Sequence, residues 1–152
     1  MAIWTERAEL LFRKEGLEKL NKAHVLVVGL GGVGSFAAEF IARAGVGSMT
    51  IVDGDVVDIT NINRQLPALH STVGQPKVDI MGDRLMDINP ELKLTRIKEF
   101  LSPERANEIV TADFDYVLDC IDSVTPKLNL IMAAKRKGVK VISNMGAGGK
   151  YE

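Results

Sequence analysis

The sequence is short of cysteine, of long apolar runs and of any excess charge. Its single thiol, Cys120, excludes an internal disulfide framework and an all-cysteine zinc site within these 152 residues. No apolar stretch reaches the roughly 18 to 20 residues of a membrane-spanning helix, and the N-terminal residues lack the apolar core of an export signal. Nineteen Lys and Arg residues face twenty Asp and Glu residues, so no overall field attracts nucleic acid or an anionic membrane. Because 46% of the residues are hydrophobic, a disordered chain is also excluded, and we expect a globular cytoplasmic protein.

Short apolar runs alternate with helical patterns along the chain. Strands are predicted over residues 24–28, 49–52, 92–97, 116–121 and 139–143. Helices are predicted over residues 6–23, 35–44, 77–88, 103–110 and 125–137, several of them bounded by a capping residue, a proline or a glycine. This alternation predicts an α/β fold, namely a doubly wound, Rossmann-like, mainly parallel sheet flanked by helices, with an additional N-terminal helix.

A glycine cluster lies between the first predicted strand and the helix that follows it. Gly29, Gly31 and Gly34 have the spacing of a dinucleotide-binding fingerprint, and Asp53 lies at the end of the next strand. Glycines let the backbone turn tightly and approach a phosphate, and the helix N-terminus offers free N–H groups. A carboxylate at Asp53 suits ribose hydroxyls. The pattern predicts nucleotide binding but leaves NAD and ATP open.

The connection over residues 53–76 is long and polar, and loops of this length in compact domains are usually functional. Its cations favour a triphosphate as the ligand. Arg64 lies within it and Lys77 follows it, and such cations clamp the charge of a triphosphate. Asp122 follows the fourth predicted strand at the same edge of the sheet, where a carboxylate suits Mg²⁺. Asp119 is interpreted instead as a strand-end residue.

These residues resemble the adenylating domain of the ubiquitin-activating-type enzymes, the MoeB/ThiF/HesA superfamily. The resemblance is carried by the glycine loop 29–34, Asp53-x-Asp55, Thr60-Asn61-x-Asn63-Arg64-Gln65, Lys77 and Asp122-Ser123. Finer motifs are most similar to the branch of tRNA threonylcarbamoyladenosine dehydratases: Trp4-x-x-Arg7, Ile88-Asn89-Pro90, the segment 119–124 and Gly146-Ala147-Gly148-Gly149-Lys150. Since the last of these follows a strand directly, as a connection cut short would, we expect residues 1–152 to be a single ATP-binding domain of the ThiF type from a longer chain.

The resemblance implies a role for each matching residue. Those expected to bind the nucleotide are Gly29, Gly31, Gly32, Gly34, Asp53, Asp55, Asn61, Arg64, Gln65, Lys77 and Asp122. Those expected to act in catalysis are Arg64, Lys77, Asp122 and Arg7. Asp122 is also the expected ligand of Mg²⁺, and Arg7 matches an arginine that homodimers of this family insert into the partner subunit's ATP site.

The implied activity is the ATP- and Mg²⁺-dependent adenylation of a carboxylate. In the dehydratase branch the carboxylate belongs to the threonylcarbamoyl group of a tRNA adenosine, which then cyclises with loss of water. An alternative substrate is the C-terminal glycine of a ubiquitin-like sulfur carrier of the molybdopterin or thiamin pathway, with a cysteine desulfurase system as a further partner. An NAD-dependent oxidoreductase, supported only by the glycine fingerprint, and a non-catalytic scaffold are more distant alternatives.

Other chemically notable residues receive structural interpretations. Cys120 lies within a predicted strand, and we expect a buried, inert thiol there. A basic cluster is interpreted as a cap on a helix C-terminus and gives no independent support for tRNA binding: Lys135, Arg136, Lys137 and Lys140. His24 and His70 are far apart in the sequence and predict no metal site.

Overall fold

Strands and helices alternate along residues 3–144, which are the part of the chain that the computed structural model describes. The helices are α1 (Glu6–Lys22), α2 (Gly34–Ala44), α3 (Lys77–Ile88), α4 (Pro103–Ile109) and α5 (Val124–Arg136). The strands are β1 (His24–Val28), β2 (Ser48–Val52), β3 (Lys93–Ile97), β4 (Tyr116–Asp119) and β5 (Lys140–Ser143). Short 3₁₀ turns are found at Ile3–Thr5, Ile59–Asn61 and His70–Thr72.

The described strands form one parallel sheet in the order β3-β2-β1-β4-β5. Val28, the last residue of β1, pairs with Val52 of β2 and with Asp119 of β4. The strand order therefore reverses direction at β1, and in open α/β sheets ligands bind at such a point, outside the carboxyl ends of the strands.

Each face of the sheet buries its own apolar cluster. Leu26 and Val28 of β1 pack with residues of α4 and α5, whereas Val25 and Val27 pack with residues of α2 and α3. This alternation follows from the opposite directions of successive side chains along a strand. Because helices cover both faces, the predicted doubly wound, Rossmann-like fold is confirmed.

Element boundaries depart from the predicted ones where side chains compete for the backbone. The strand predicted to end at residue 121 ends at Asp119, because the Asp119 carboxylate accepts a hydrogen bond from the Ile121 N–H (3.1 Å) and turns the chain. Helix α5 begins at Val124 after Ser123 rather than at the predicted Thr125-Pro126 cap. Helix α1 is interrupted at Arg13 (φ 62°, ψ 169°), and its buried contact with the rest of the chain is Leu17.

Among the described helices, none combines the length and the apolar character needed to cross a bilayer.

Candidate functional site

A cavity of about 230 Å³ opens at the carboxyl ends of β1, β2 and β4. The glycine loop contributes Gly29 and Gly31 to its wall, and the residues after β2 contribute Asp53 and Asp55. Asp122 closes another side, from the turn that follows β4. The cavity therefore lies at the switch point of the sheet, where the sequence predicted the nucleotide site.

Two glycines of the loop are required by the fold itself. Gly29 has a φ of 96°, and a Cβ atom there would lie 2.6 Å from the carbonyl oxygen of Cys120. A Cβ atom on Gly34 would lie 1.6 Å from the carbonyl oxygen of Gly29. Any side chain at either position collides with backbone, so the loop can turn from β1 into α2 only with glycine here.

The two glycines between them are not required by the packing of the protein. A Cβ atom on Gly31 would lie 3.5 Å from the Gln65 Nε2 atom, and one on Gly32 would lie 3.7 Å from the Arg64 Cγ atom. Both distances are ordinary van der Waals contacts, and neither residue has a left-handed backbone. The space before these residues is therefore left open by the chain.

Asp53 ties the glycine loop to the segment after β2. Its Oδ2 atom accepts a hydrogen bond from the Leu30 N–H (2.7 Å), and its Oδ1 atom accepts one from the Asp55 N–H (2.7 Å). Each carboxylate oxygen keeps a further lone pair. Asp53 is thus held rigidly in the cavity wall. Its carboxylate can accept further hydrogen bonds, as a role in binding ribose hydroxyls requires.

Two buried polar side chains on the cavity wall lack full partners. The Lys77 side chain, on the first residue of α3, has its Nζ atom 3.6 Å from Asp55 Oδ2, and no shorter polar contact of this ammonium group is found within residues 3–144. The Oε1 atom of buried Gln65 has no hydrogen-bond partner among the described residues. Buried donors and acceptors in folded proteins are nearly always paired, so these groups point to a ligand that is itself both anionic and hydrogen-bonding.

Asn61 and Arg64 form hydrogen bonds within their own loop in this structure. The Asn61 Oδ1 atom accepts a hydrogen bond from the Asp58 N–H (2.9 Å). The exposed Arg64 guanidinium donates to the Thr60 carbonyl (3.1 Å) and to Asn63 Oδ1 (2.9 Å). Neither residue lines the cavity, so their contact with a triphosphate stays a prediction.

The two aspartates near the end of β4 have different surroundings. Asp122 is exposed at the cavity wall, whereas Asp119 is fully buried and accepts a hydrogen bond from Lys127 Nζ (2.7 Å). Within residues 3–144, no group of three or more His, Cys, Asp or Glu side chains could hold a metal ion. Asp122 as a Mg²⁺ ligand therefore stays a prediction.

Arg7 lies on the exposed surface of α1 and does not line the cavity of its own chain. Its insertion into a partner subunit stays a prediction.

Residues of the basic cluster at the end of α5 contact α4 and β4, and no contact of their side chains with the end of α5 itself is found among the described residues. Arg136 donates to Asn107 Oδ1 (2.8 Å), and the Lys137 ammonium donates to the Asn107 carbonyl. The Lys140 ammonium lies 5.5 Å from the centre of the Tyr116 ring.

The cavity has an aromatic side that the sequence motifs did not indicate. Phe100 lines it and is 75% exposed, and Gly54 packs so closely against the Phe100 ring that a Cβ atom there would lie 2.6 Å from it. Arg105 forms a bidentate pair with Glu99 (both distances 2.8 Å), and this hydrogen bonding lowers the pKa of the Glu99 carboxyl. The position of residues 98–101 in the sequence could have predicted this, because they follow a strand and must reach the same edge of the sheet.

Cys120 follows β4 and is half-buried on the cavity wall, so the prediction of a buried thiol within the strand is wrong, because the strand ends at Asp119. It is nevertheless expected to react slowly with alkylating reagents. Burial raises the pKa of this thiol from its ordinary 9.0 to about 11, which leaves roughly 0.1% thiolate at pH 8, about one hundredth of the thiolate fraction of a cysteine at the ordinary value. The modification rate with iodoacetamide, followed by mass spectrometry, should rise about 100-fold when the chain is unfolded in urea. Equal rates for the folded and unfolded chain would contradict the inert role.

Comparison with known proteins places these features in a family. Over 146 residues the chain is 50% identical to the tRNA threonylcarbamoyladenosine dehydratase of Bacillus subtilis (strain 168), a match that covers 96% of this chain and 58% of that relative. It is 40% identical over 132 residues to the molybdopterin-synthase adenylyltransferase of Salmonella typhimurium (strain LT2), with 87% of this chain and 53% of the relative covered. The chain therefore spans little more than half the length of these relatives.

A solved structure shares the fold. The crystal structure of the Escherichia coli tRNA N6-threonylcarbamoyladenosine dehydratase in complex with ATP matches with a TM-score of 0.91 and 40% identity, over 96% of this chain and 60% of that one. The ThiF family profile matches residues 5–150 of this sequence. The chain belongs to the ThiF family.

Proposed function

We propose that the chain binds ATP in the cavity and uses it to adenylate the carboxylate of a threonylcarbamoyl group on a tRNA adenosine. The observation that carries the proposal is the composition of the cavity wall. A glycine loop with open space before it lies there together with buried Lys77, whose nearest ionic partner is 3.6 Å away. The substrate is inferred from the relatives at 50% and 40% identity, whose names state this dehydratase activity.

The residues of the cavity suit a nucleoside triphosphate. Gly31 and Gly32 leave room for phosphate oxygens beside the N-terminus of α2, where free N–H groups and the helix dipole favour an anion. Lys77 supplies a buried positive charge, and the unpaired Gln65 Oε1 atom can accept a hydrogen bond from a hydroxyl or amino group. Asp122 is the residue that would hold Mg²⁺, which neutralises phosphate charge when bound.

The chemistry follows from the charge distribution of the site. An oxygen of the substrate carboxylate attacks the α-phosphorus, the bond from that phosphorus to pyrophosphate breaks, and an acyl-adenylate forms. An intramolecular nucleophile of the substrate then attacks the acyl carbon, and the carbon–oxygen bond to AMP breaks as the ring closes. Lys77 and the loop N–H groups assist by positioning the phosphates and stabilising the charge that moves onto pyrophosphate.

A homodimer is part of the proposal. The α1 surface that carries Arg7 also exposes Leu10 (86%) and Leu11 (77%), and an apolar surface of this kind is typical of an interface. In such a dimer the Arg7 guanidinium would add positive charge to the partner's site. We further propose a cytoplasmic location, where tRNA is found.

A second candidate substrate is the C-terminal glycine of a ubiquitin-like sulfur carrier. It is favoured by the 40% identity to the molybdopterin-synthase adenylyltransferase, a lower value than that to the Bacillus subtilis dehydratase.

The test is a substrate-dependent assay of adenylate formation. The chain is incubated with ATP, Mg²⁺ and tRNA that carries threonylcarbamoyladenosine. Two quantities are measured: the exchange of labelled pyrophosphate into ATP, and the masses of the nucleosides released from the tRNA. We expect exchange only with the modified tRNA, and a product nucleoside lighter by one water. Exchange that depends instead on a carrier ending in Gly-Gly would favour the second candidate, and binding of NAD in preference to ATP would overturn both.

A further inference from the structure

A buried ion pair lies directly behind the turn that carries Asp122. The Asp119 side chain is fully buried and Lys127 is 7% exposed. The Lys127 ammonium donates to Asp119 Oδ2 (2.7 Å) and to the carbonyl of Asn144 (2.5 Å). The Asp119 carboxylate also accepts hydrogen bonds from the Ile121 N–H (3.1 Å) and the Ser143 hydroxyl (2.6 Å).

These contacts join three segments that are separate in the sequence. Asp119 ends β4, Lys127 lies in the first turns of α5, and Asn144 follows β5. The Asn144 N–H also donates to the Asp119 carbonyl (2.9 Å). One ammonium group therefore fixes the position of the turn 120–123 relative to α5 and to the chain that leaves β5.

The pair is not explained by the needs of the core. Burying two charges costs several kcal/mol for each ion, and apolar side chains of similar volume often fold as well or better. The neighbouring buried positions of α5, Leu130, Ala133 and Ala134, are apolar. A charged pair here fixes a geometry through directed hydrogen bonds, which apolar side chains cannot do.

The geometry that it fixes belongs to the cavity. Cys120, Ile121, Asp122 and Ser123 all line the cavity, whereas Lys127 and Asp119 stand behind this wall. Lys127 also neutralises Asp119, whose charge would otherwise repel a triphosphate across a wall of low dielectric constant.

We propose that Lys127, through its pair with Asp119 and its bond to the Asn144 carbonyl, is a positioning residue that holds the turn 120–123 in place for the triphosphate. The inference deepens the proposed function and rests on it for the identity of the ligand. Lys127 does not line the cavity, so it acts through Asp122 and the backbone of the turn.

The test compares three variants with the unaltered chain. Lys127→Met leaves the Asp119 carboxylate buried without a counter-ion, Lys127→Arg keeps the charge, and the double variant Asp119→Asn with Lys127→Met removes both charges. The dissociation constant for ATP with Mg²⁺ is measured by calorimetry, stability by urea unfolding, and the exchange of the amide hydrogens of residues 120–123 by mass spectrometry without nucleotide.

We expect Lys127→Met to weaken ATP binding about 10- to 100-fold, as displacement of a supporting group does, and Lys127→Arg to stay within about 3-fold of the unaltered chain. The double variant should regain stability while ATP binding stays about 10-fold weaker and the turn exchanges faster. If its affinity and amide exchange both return to those of the unaltered chain, the pair is only structural. If the unaltered chain binds no ATP, the proposed function fails, and amide exchange of the turn still decides whether Lys127 positions it.

Discussion

The Gly31→Ala variant is expected to fold like the unaltered chain and to lose most of its affinity for ATP. A methyl group at this position meets only the end of the Gln65 side chain, at 3.5 Å, so the native loop can accept it. The same methyl group occupies the space through which a phosphate approaches the backbone N–H groups. We expect binding to weaken at least about 30-fold, because two or more charge-assisted hydrogen bonds are lost or lengthened. Calorimetry with ATP and Mg²⁺ measures the affinity, and thermal unfolding measures the stability.

Gly34→Ala is the matched control, since it adds the same methyl group three residues along the same loop. There the new atom would lie 1.6 Å from the carbonyl oxygen of Gly29, so the loop must rearrange and stability must fall. Stability and nucleotide affinity thus separate at Gly31 but fall together at Gly34. If Gly31→Ala binds ATP as tightly as the unaltered chain, the phosphates do not lie at the glycine loop.

The sequence contains enough information to predict the fold and the edge of the sheet where the candidate cavity opens. Continuous apolar runs such as 24–28 alternate with helices, and this pattern permits only a parallel sheet that is covered on both faces. Parallel strands bring all their carboxyl ends to one edge. The glycine loop after β1 and Asp53 after β2 therefore had to meet, and the 2.7 Å bond from the Leu30 N–H to Asp53 is the consequence.

Side-chain partners between distant segments could not be predicted in the same way. Lys127 looks like a solvated helix residue in the sequence, and its burial follows from the direction in which α5 crosses the sheet. Phe100 is a large apolar residue, yet it is 75% exposed, and its ring lies against the backbone of Gly54, where any side chain would collide with it. The charge of Arg64, its place in the long loop and the resemblance all assign it to the triphosphate, whereas in this structure its guanidinium is hydrogen-bonded to its own loop. Local pattern predicts elements and their ends, whereas these details depend on packing.

Lys77→Met is expected to weaken ATP binding severely while leaving the chain at least as stable. Lys77 is 5% exposed, and the nearest ionic partner of its ammonium group, Asp55 Oδ2, is 3.6 Å away on a half-exposed side chain. Burying such a charge costs desolvation energy, and one distant carboxylate offsets little of it. An apolar side chain of similar length avoids this cost and should not lower the stability. A triphosphate supplies the missing partner, and its loss should weaken binding at least about 100-fold.

The comparison of ATP with AMP makes the result specific. If Lys77 binds the outer phosphates, Lys77→Met weakens ATP far more than AMP, because AMP lacks the groups that the lysine contacts. Lys93→Met, at the exposed first residue of β3, removes the same charge from the opposite end of the sheet and should leave both affinities unchanged. Equal losses for ATP and AMP would place the lysine at the α-phosphate or would mean a collapsed cavity. Urea unfolding separates these cases, since a collapsed cavity shifts the unfolding midpoint and a lost contact to the α-phosphate does not. Such a lysine would destabilise the free protein and yet be required for binding the ligand. This is expected of a residue that is selected for binding and not for stability.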